Sequence, residues 1–283
     1  MGLAEQLEIV DSRLPPGACD CHCHVFGPTA LYPWWPDRRF TPPEFPREHL
    51  FAVHRENGLD RAVIVQTAAH GTDNRVSLDA IAEGGPNYRG TCLVEPSISD
   101  TELQALHAGG MRAVRFNRVY DEPTFEVIHA LAERVHALLG WHILLHMNAK
   151  DIERDAPEIA RLKVPFVIDH MGRVDAAAGL DQRPFAVLKD LVALPNAWIK
   201  VSGADRISAA GPPYDDAIPF IQALLSVAED RAIWGTDCPH PNVKGPYPKE
   251  SDLIDCLMRA TGGGETLKRV LVDNPARLYG FDA

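Results

Sequence analysis

Near its start the chain reads Ala18-Cys-Asp-Cys-His-Cys-His-Val25. Side chains alternate along a β-strand, so this spacing predicts that Asp20, His22 and His24 share one face and that Cys19, Cys21 and Cys23 share the other. Two imidazoles at i and i+2 can together hold one metal ion or one substrate oxygen. More polar and titratable residues follow short apolar runs along the chain: Thr67 and His70, Arg115, His146, His170 with Arg173, Arg206, and Asp237. A random chain would not place such groups so regularly after apolar runs. His107, His129, His136 and His142 fall instead on predicted helices or strand starts and are read as structural or surface residues.

The elements that must carry these residues can be read in order. Apolar strands are expected at Ala18–Val25, Ala62–Thr67, Thr91–Val94, Ala113–Phe116, His142–His146, Phe166–Asp169, Trp198–Val201 and Ile233–Gly235. Between most of them lie helical stretches with start and stop signals. Pro46–Asn57 is closed by Gly58, Thr72 or Asp73 caps the next helix, and Ser99-Asp-Thr-Glu102 is a capping box. A further helix over Pro123–Leu139 is stopped by Gly140. Eight short buried strands alternating with helices predict an α/β fold, a single-domain (β/α)8 barrel over residues 1–283, with chemistry at the carboxyl ends of its strands. A doubly wound open sheet ranks behind it, because its glycine-rich nucleotide signatures are absent. Residues 26–46 hold Pro33-Trp-Trp-Pro36 and Thr41-Pro-Pro43, which forbid helix and ladder pairing, so they are read as a long active-site loop.

Composition narrows the class. At 283 residues, 46% apolar and 24% charged, the chain is an ordinary globular protein. No apolar run approaches the ~18 residues that span a membrane. Met1–Pro16 has no apolar core and does not read as a secretory signal, so a cytoplasmic location is expected. Three of six cysteines crowd into one strand, which suits free thiols better than disulfides. A formal net charge of −11 argues against nucleic acid or an anionic membrane as partner, although arginines cluster among the strand-end residues.

Four stretches carry a more specific resemblance: Asp20-Cys-His-Cys-His24, Val167-Ile-Asp-His-Met-Gly-Arg173, Trp234-Gly-Thr-Asp-Cys-Pro-His-Pro-Asn242 and Asn274-Pro-Ala-Arg-Leu-Tyr-Gly280. Together they resemble the amidohydrolase superfamily, in its branch of 2-pyrone-4,6-dicarboxylate lactonases, over nearly the whole chain. The resemblance implies roles. His22, His24 and His170 would surround the scissile carbonyl, and Asp237 would be the general base that activates water. Arg115, Arg173 and Arg206 would clamp substrate carboxylates, since a guanidinium fork matches a carboxylate. Thr67, His70 and Arg118 complete the expected substrate-binding set. The expected partner is therefore a small anionic lactone formed during breakdown of aromatic compounds.

The resemblance also leaves two versions of the site open. His146 stands where the lactonases carry a tyrosine and work without metal, whereas metal-dependent amidohydrolases place a histidine there. His22, His24, His146 and Asp237 would then hold one divalent ion, with zinc expected. A relative in the same branch hydrolyses 4-sulfomuconolactone with zinc. In the metal-free version, protonated histidines polarise the carbonyl and activity falls as pH rises past their pKa. A metal-dependent decarboxylase of amidohydrolase type is a second reading, separable by the carbon dioxide it would release. A catalytically silent binding barrel is a third, and it gives Asp237 and the histidines no task.

Overall fold

In a computed structural model, which describes residues 14–120, 123–243 and 247–282, eight parallel strands pair in chain order. They are β1 Cys19–Cys23, β2 Arg61–Val65, β3 Tyr88–Cys92, β4 Met111–Asn117, β5 His142–His146, β6 Phe166–Ile168, β7 Ala197–Lys200 and β8 Ala232–Ile233. The barrel closes without a β8–β1 ladder. Instead, Cys21 N donates to Trp234 O (2.8 Å), Asp237 N to His22 O (2.7 Å) and His24 N to Cys238 O (2.8 Å). Residues 1–13, most of the segment read as lacking a leader, lie outside the described residues. Among those described, no helix is long and apolar enough to cross a membrane.

Helices α1 Arg47–Asn57, α2 Arg75–Gly84, α3 Asp100–Ala108, α4 Phe125–Leu139, α5 Ala149–Ile159 and α6 Arg183–Val192 wrap the outside. They are followed by α7 Ala204–Ile207, α8 Ile218–Ala228, α9 Glu250–Thr261, α10 Gly264–Lys268 and α11 Asn274–Tyr279. The expected caps form: Gly58 and Gly140 end α1 and α4 in the left-handed conformation, and Ser99 and Glu102 make the reciprocal capping box of α3. At the second helix Asn74 takes the N-cap position without a side-chain cap, and Asp73 Oδ1 accepts from Arg75 N at 3.2 Å. The third strand starts earlier than expected because Tyr88-Arg-Gly is polar in sequence yet pairs with Ala62–Ile64.

Two cores result. A large one lies between strands and helices; a smaller one fills the barrel with Cys19, Cys21, Val63, Val65, Ala113, Leu144, Val167, Trp198 and Ile233, against Tyr279 and Phe281. Two residues beyond several of these apolar side chains, on the same pleat face, come Thr67, Arg115, His146, Asp169 and Lys200. The strand period thus converts a greasy lower layer into a polar upper one. Strand β1 departs from strict alternation. Asp20 pairs with Ala62 but Cys23 with Ile64, so three residues oppose two and the register slips by one. Consequently the cysteines do not share a face: Cys19 and Cys21 belong to the barrel core, with sulfurs 3.6 Å apart, and Cys23 belongs to the outer core. Asp20 likewise does not join His22 and His24; it meets His54 of α1 at 3.3 Å.

Candidate active site

The upper rim of the barrel brings His24, Thr67, Arg115, His146, His170, Arg173, Arg206 and Asp237 around one cavity of about 80 Å³. Its floor is Asp237. Oδ1 of this carboxylate faces three imidazoles: His24 Nε2 at 3.1 Å, His22 Nε2 at 3.6 Å and His170 Nε2 at 3.8 Å. Oδ2 accepts from Arg206 Nε (3.0 Å) and Nη2 (2.5 Å). Burial by itself would raise the Asp237 pKa, but Arg206, then His170, hold it well below the usual carboxylate range. Burial pushes His22, His146 and His170 well below the ordinary histidine value, so these imidazoles are neutral at pH 7.

Backbone construction explains the convergence. Asp20 Oδ1 accepts from His22 N and Thr236 N, both at 2.9 Å, and Oδ2 accepts from Thr236 Oγ1 at 2.5 Å. One buried carboxylate therefore fastens the strand of the His-x-His pair to the turn that carries Asp237. Gly235 is required there: a Cβ would lie 2.3 Å from His22 N. After β6 the chain turns through His170, Met171, Gly172 and Arg173 with φ of 50°, 50°, 62° and 51°. So many consecutive left-handed residues are costly outside glycine, and this turn sets an imidazole and a guanidinium three positions apart on one rim.

The supporting polar partners were not foreseen from sequence. His24 Nδ1 donates to Val65 O (2.7 Å), His146 Nδ1 to Asn117 Oδ1 (3.2 Å), and His170 Nδ1 shares a hydrogen bond with Ser202 Oγ (3.0 Å). Lys200 and Asp169 lie buried beside His22. Signals existed for two of them: Asp169 ends an apolar strand directly before His170, and Lys200 interrupts the apolar run Trp198–Val201.

Other expected site residues are placed differently. His146 lines the cavity but stands apart from the metal-type clusters, its ring 6.0 Å from that of His170. Its register partner Asn117 draws it toward β4. Arg206 is engaged by Asp237 and by Pro241 O, so its donors go to the carboxylate of the protein rather than being held for a substrate. Arg118 pairs with Asp155 (3.0 Å), donates to Pro123 O and stacks over Phe125, away from the cavity lining. His70 pins the long loop: Trp34 stacks on it at 4.6 Å, its Nδ1 donates to Pro33 O, and its Nε2 accepts from Gly27 N. Gly71 lets Trp35 of the same loop approach, since a Cβ would meet that indole at 2.6 Å. Phe40 of the loop reaches the cavity, and Thr67 Oγ1 is buried there without a hydrogen-bond partner.

Imidazole nitrogens and a carboxylate oxygen are donors that divalent ions of zinc type take. The ligand atoms of His22, His24 and Asp237 lie within 4.8 Å of one another, as do those of His22, Asp169 and His170. His24 fits such an ion well, because donation from Nδ1 to Val65 leaves an Nε2 lone pair facing the Asp237 oxygen. His22 Nε2 is buried without a hydrogen-bond partner. The site has His and Asp groups that could hold a metal ion.

Comparison with known proteins agrees with this architecture. A family model described as amidohydrolase matches residues 19–281. The 2-pyrone-4,6-dicarboxylate hydrolase of Comamonas testosteroni is 40% identical over 279 residues, covering 94% of this chain and 91% of that one. The 4-sulfomuconolactone hydrolase of Rhizobium radiobacter is 40% identical over 276 residues, covering 96% and 92%. A crystal structure from Acinetobacter baumannii, described as a "probable" 2-pyrone-4,6-dicarboxylic acid hydrolase with citric acid bound, superposes with a TM-score of 0.82 at 26% identity, covering 94% of this chain and all of that one. With that span and that identity, the chain belongs to the amidohydrolase family.

Proposed function

We propose that this protein hydrolyses the ring ester of a small lactone carrying two anionic groups, of the 2-pyrone-4,6-dicarboxylate or 4-sulfomuconolactone kind, in the breakdown of aromatic compounds. The observation that carries the reading is Asp237 Oδ1 facing three imidazole Nε2 atoms at 3.1–3.8 Å beneath a rim with Arg115 and Arg173. Arg115 and Arg173 line this cavity beside Asp237, and Arg115 Nε lies 3.7 Å from Asp169 Oδ2. Guanidinium groups at the rim suit the anionic groups of such a substrate, in a protein whose net charge is otherwise acidic.

In this mechanism Asp237 Oδ1 takes a proton from water while the water oxygen bonds to the ring carbonyl carbon. The new carboxyl proton is held against the His24 Nε2 lone pair, 3.1 Å away. His22 and His170 donate from Nε2 to the carbonyl oxygen as it becomes an oxyanion. Collapse breaks the ring C–O bond, and the departing oxygen takes the proton back, leaving a ring-opened acid. Arg115 and Arg173 orient the substrate by its anionic groups, and Thr67 Oγ1 offers a further hydrogen bond. Residues 26–46, with Phe40 against the cavity, act as the loop that excludes water. A divalent ion, with zinc the one these donors suit, would be held by His24 and Asp237 and would add Lewis-acid polarisation of the carbonyl.

The test is base consumption by the purified protein with 2-pyrone-4,6-dicarboxylate, 4-sulfomuconolactone and a neutral lactone of similar size. One anionic lactone should be opened at least ~100-fold faster than the neutral one, as lost charge-assisted contacts require. Equal rates on all three, or release of carbon dioxide in place of acid, would sink the reading.

A further inference from the structure

Lys200 is a charged side chain inside the barrel that the chemistry above does not use. It is fully buried at the end of β7; its Nζ donates to His22 Nδ1 at 2.9 Å and forms an ion pair with Asp169 Oδ1 at 3.0 Å. A neutral imidazole that accepts at Nδ1 carries its proton on Nε2. His24, two residues on, is built the opposite way, with Nδ1 donating to Val65 O and Nε2 left with the lone pair. The two imidazoles of the His-x-His pair are therefore set in opposite tautomers by different partners. Asp169 would be the natural acceptor for a proton on His22 Nδ1, but Oδ1 lies 3.5 Å away and the lysine occupies the nearer position.

That difference matters for the use of the site. A histidine that binds a metal through Nε2 donates its Nδ1 proton to an acceptor, commonly a carboxylate. Lys200 offers a donor where such a ligand needs an acceptor, and its ammonium adds positive charge next to the position a cation would take. We propose that Lys200 is a positioning residue that locks His22 as an Nε2–H donor aimed at the reacting oxygen and so withdraws it from the ligand set of a divalent ion. This rests on the lactone-hydrolysis reading for what the donor acts upon, but not for the tautomer itself. Removing the lysine would free Asp169 to accept from Nδ1, turning His22 into a ligand.

The experiment is nitrogen NMR of histidine-labelled, chelator-treated protein at neutral pH, with the His22 signals assigned by their loss in His22→Gln. In the unaltered protein His22 should carry its proton on Nε2 and His24 on Nδ1. In Lys200→Met the His22 proton should move to Nδ1, and Zn²⁺, added alone and followed by calorimetry, should bind at least ~10-fold more tightly, the scale of an orienting partner's effect on metal affinity. Asp169→Asn, which keeps the lysine, should leave the tautomer on Nε2. A His22 proton on Nδ1 in the unaltered protein overturns the proposal without any variant having to fold. An unchanged tautomer or unchanged Zn²⁺ affinity in folded Lys200→Met overturns it too. Neither readout involves substrate, so a failure to open any lactone would refute the functional reading alone.

Discussion

Asp237 answers to two demands at once. Arg206 fixes one of its oxygens and, with the imidazoles around the other, keeps it ionised far into the acid range. Asp237→Asn should fold and lose about 10²–10⁴-fold in kcat, the usual value of a general base; a folded variant with normal turnover would remove it from the mechanism. Because Arg206 is spent on that carboxylate, Arg206→Met should lower kcat. Arg115→Met and Arg173→Met should instead raise KM for anionic lactones about 10- to 150-fold, the equivalent of a lost 1.5–3 kcal/mol charged contact. If all three variants behaved alike in a KM-against-kcat comparison, this division of roles would fail. The pH profile follows from the same surroundings. Carbonyl polarisation by protonated histidines would make activity fall with rising pH, yet burial keeps His22 and His170 neutral at pH 7. The groups needed are an ionised Asp237 and neutral imidazoles, both present above their depressed pKa values. Activity should therefore hold level over about pH 6.5–8 and fall only as pH drops through those values, a profile of kcat/KM being the check.

At the scale of elements, the strand-end rule located Thr67, Arg115, His146, His170 and Asp237 because a period of two and an apolar run are written in residue types. Helix caps at Ser99, Gly58 and Gly140 were equally legible, each having one local cause. Direction beyond a strand end was not. His70 and Arg118 follow strands closely, yet the first is claimed by Trp34 and Pro33 and the second by Asp155 and Phe125, partners 36 or more positions from His70 and 37 from Arg118 at most. The slip in β1 was illegible for a related reason. Which of two adjacent residues turns inward depends on β2 and on Asp20 finding Thr236, far along the chain. That clamp makes a prediction. Asp20→Asn keeps the volume but places an amide donor among the N–H and O–H groups of His22 and Thr236. It should lower Tm and reduce kcat while KM changes little, since the proposed substrate clamps on β4 and after β6 are untouched. Unchanged Tm and kcat together would show that the two ends of the barrel hold each other without it.

Across the whole molecule, burial of neutral histidine couples stability to acid. His142, at the start of β5 and packed on Tyr279 at 4.9 Å, is pushed down to about 3 by burial and then by Lys200. Unfolded, it takes a proton near 6.5; folded, it resists to about 3. Its contribution is whole above pH 6.5 and drains away as pH falls toward 3, at up to about 1.4 kcal/mol per pH unit for one proton. His142→Phe should flatten the decline in stability below pH 6.5 by up to one proton's slope in denaturant titrations; an identical slope would mean that His142 is accessible when folded. The closure of the barrel has a consequence of another kind. First strand and last turn meet at the reacting carboxylate, joined by Asp237 N to His22 O and His24 N to Cys238 O rather than by a ladder. During synthesis His22 and His24 emerge early and the proposed base, Asp237, some two hundred residues later. A ribosome-bound chain halted before Thr236 would own every imidazole of the site and do no chemistry, so turnover begins only when the ring has shut, and activity serves as an assay of topological completion.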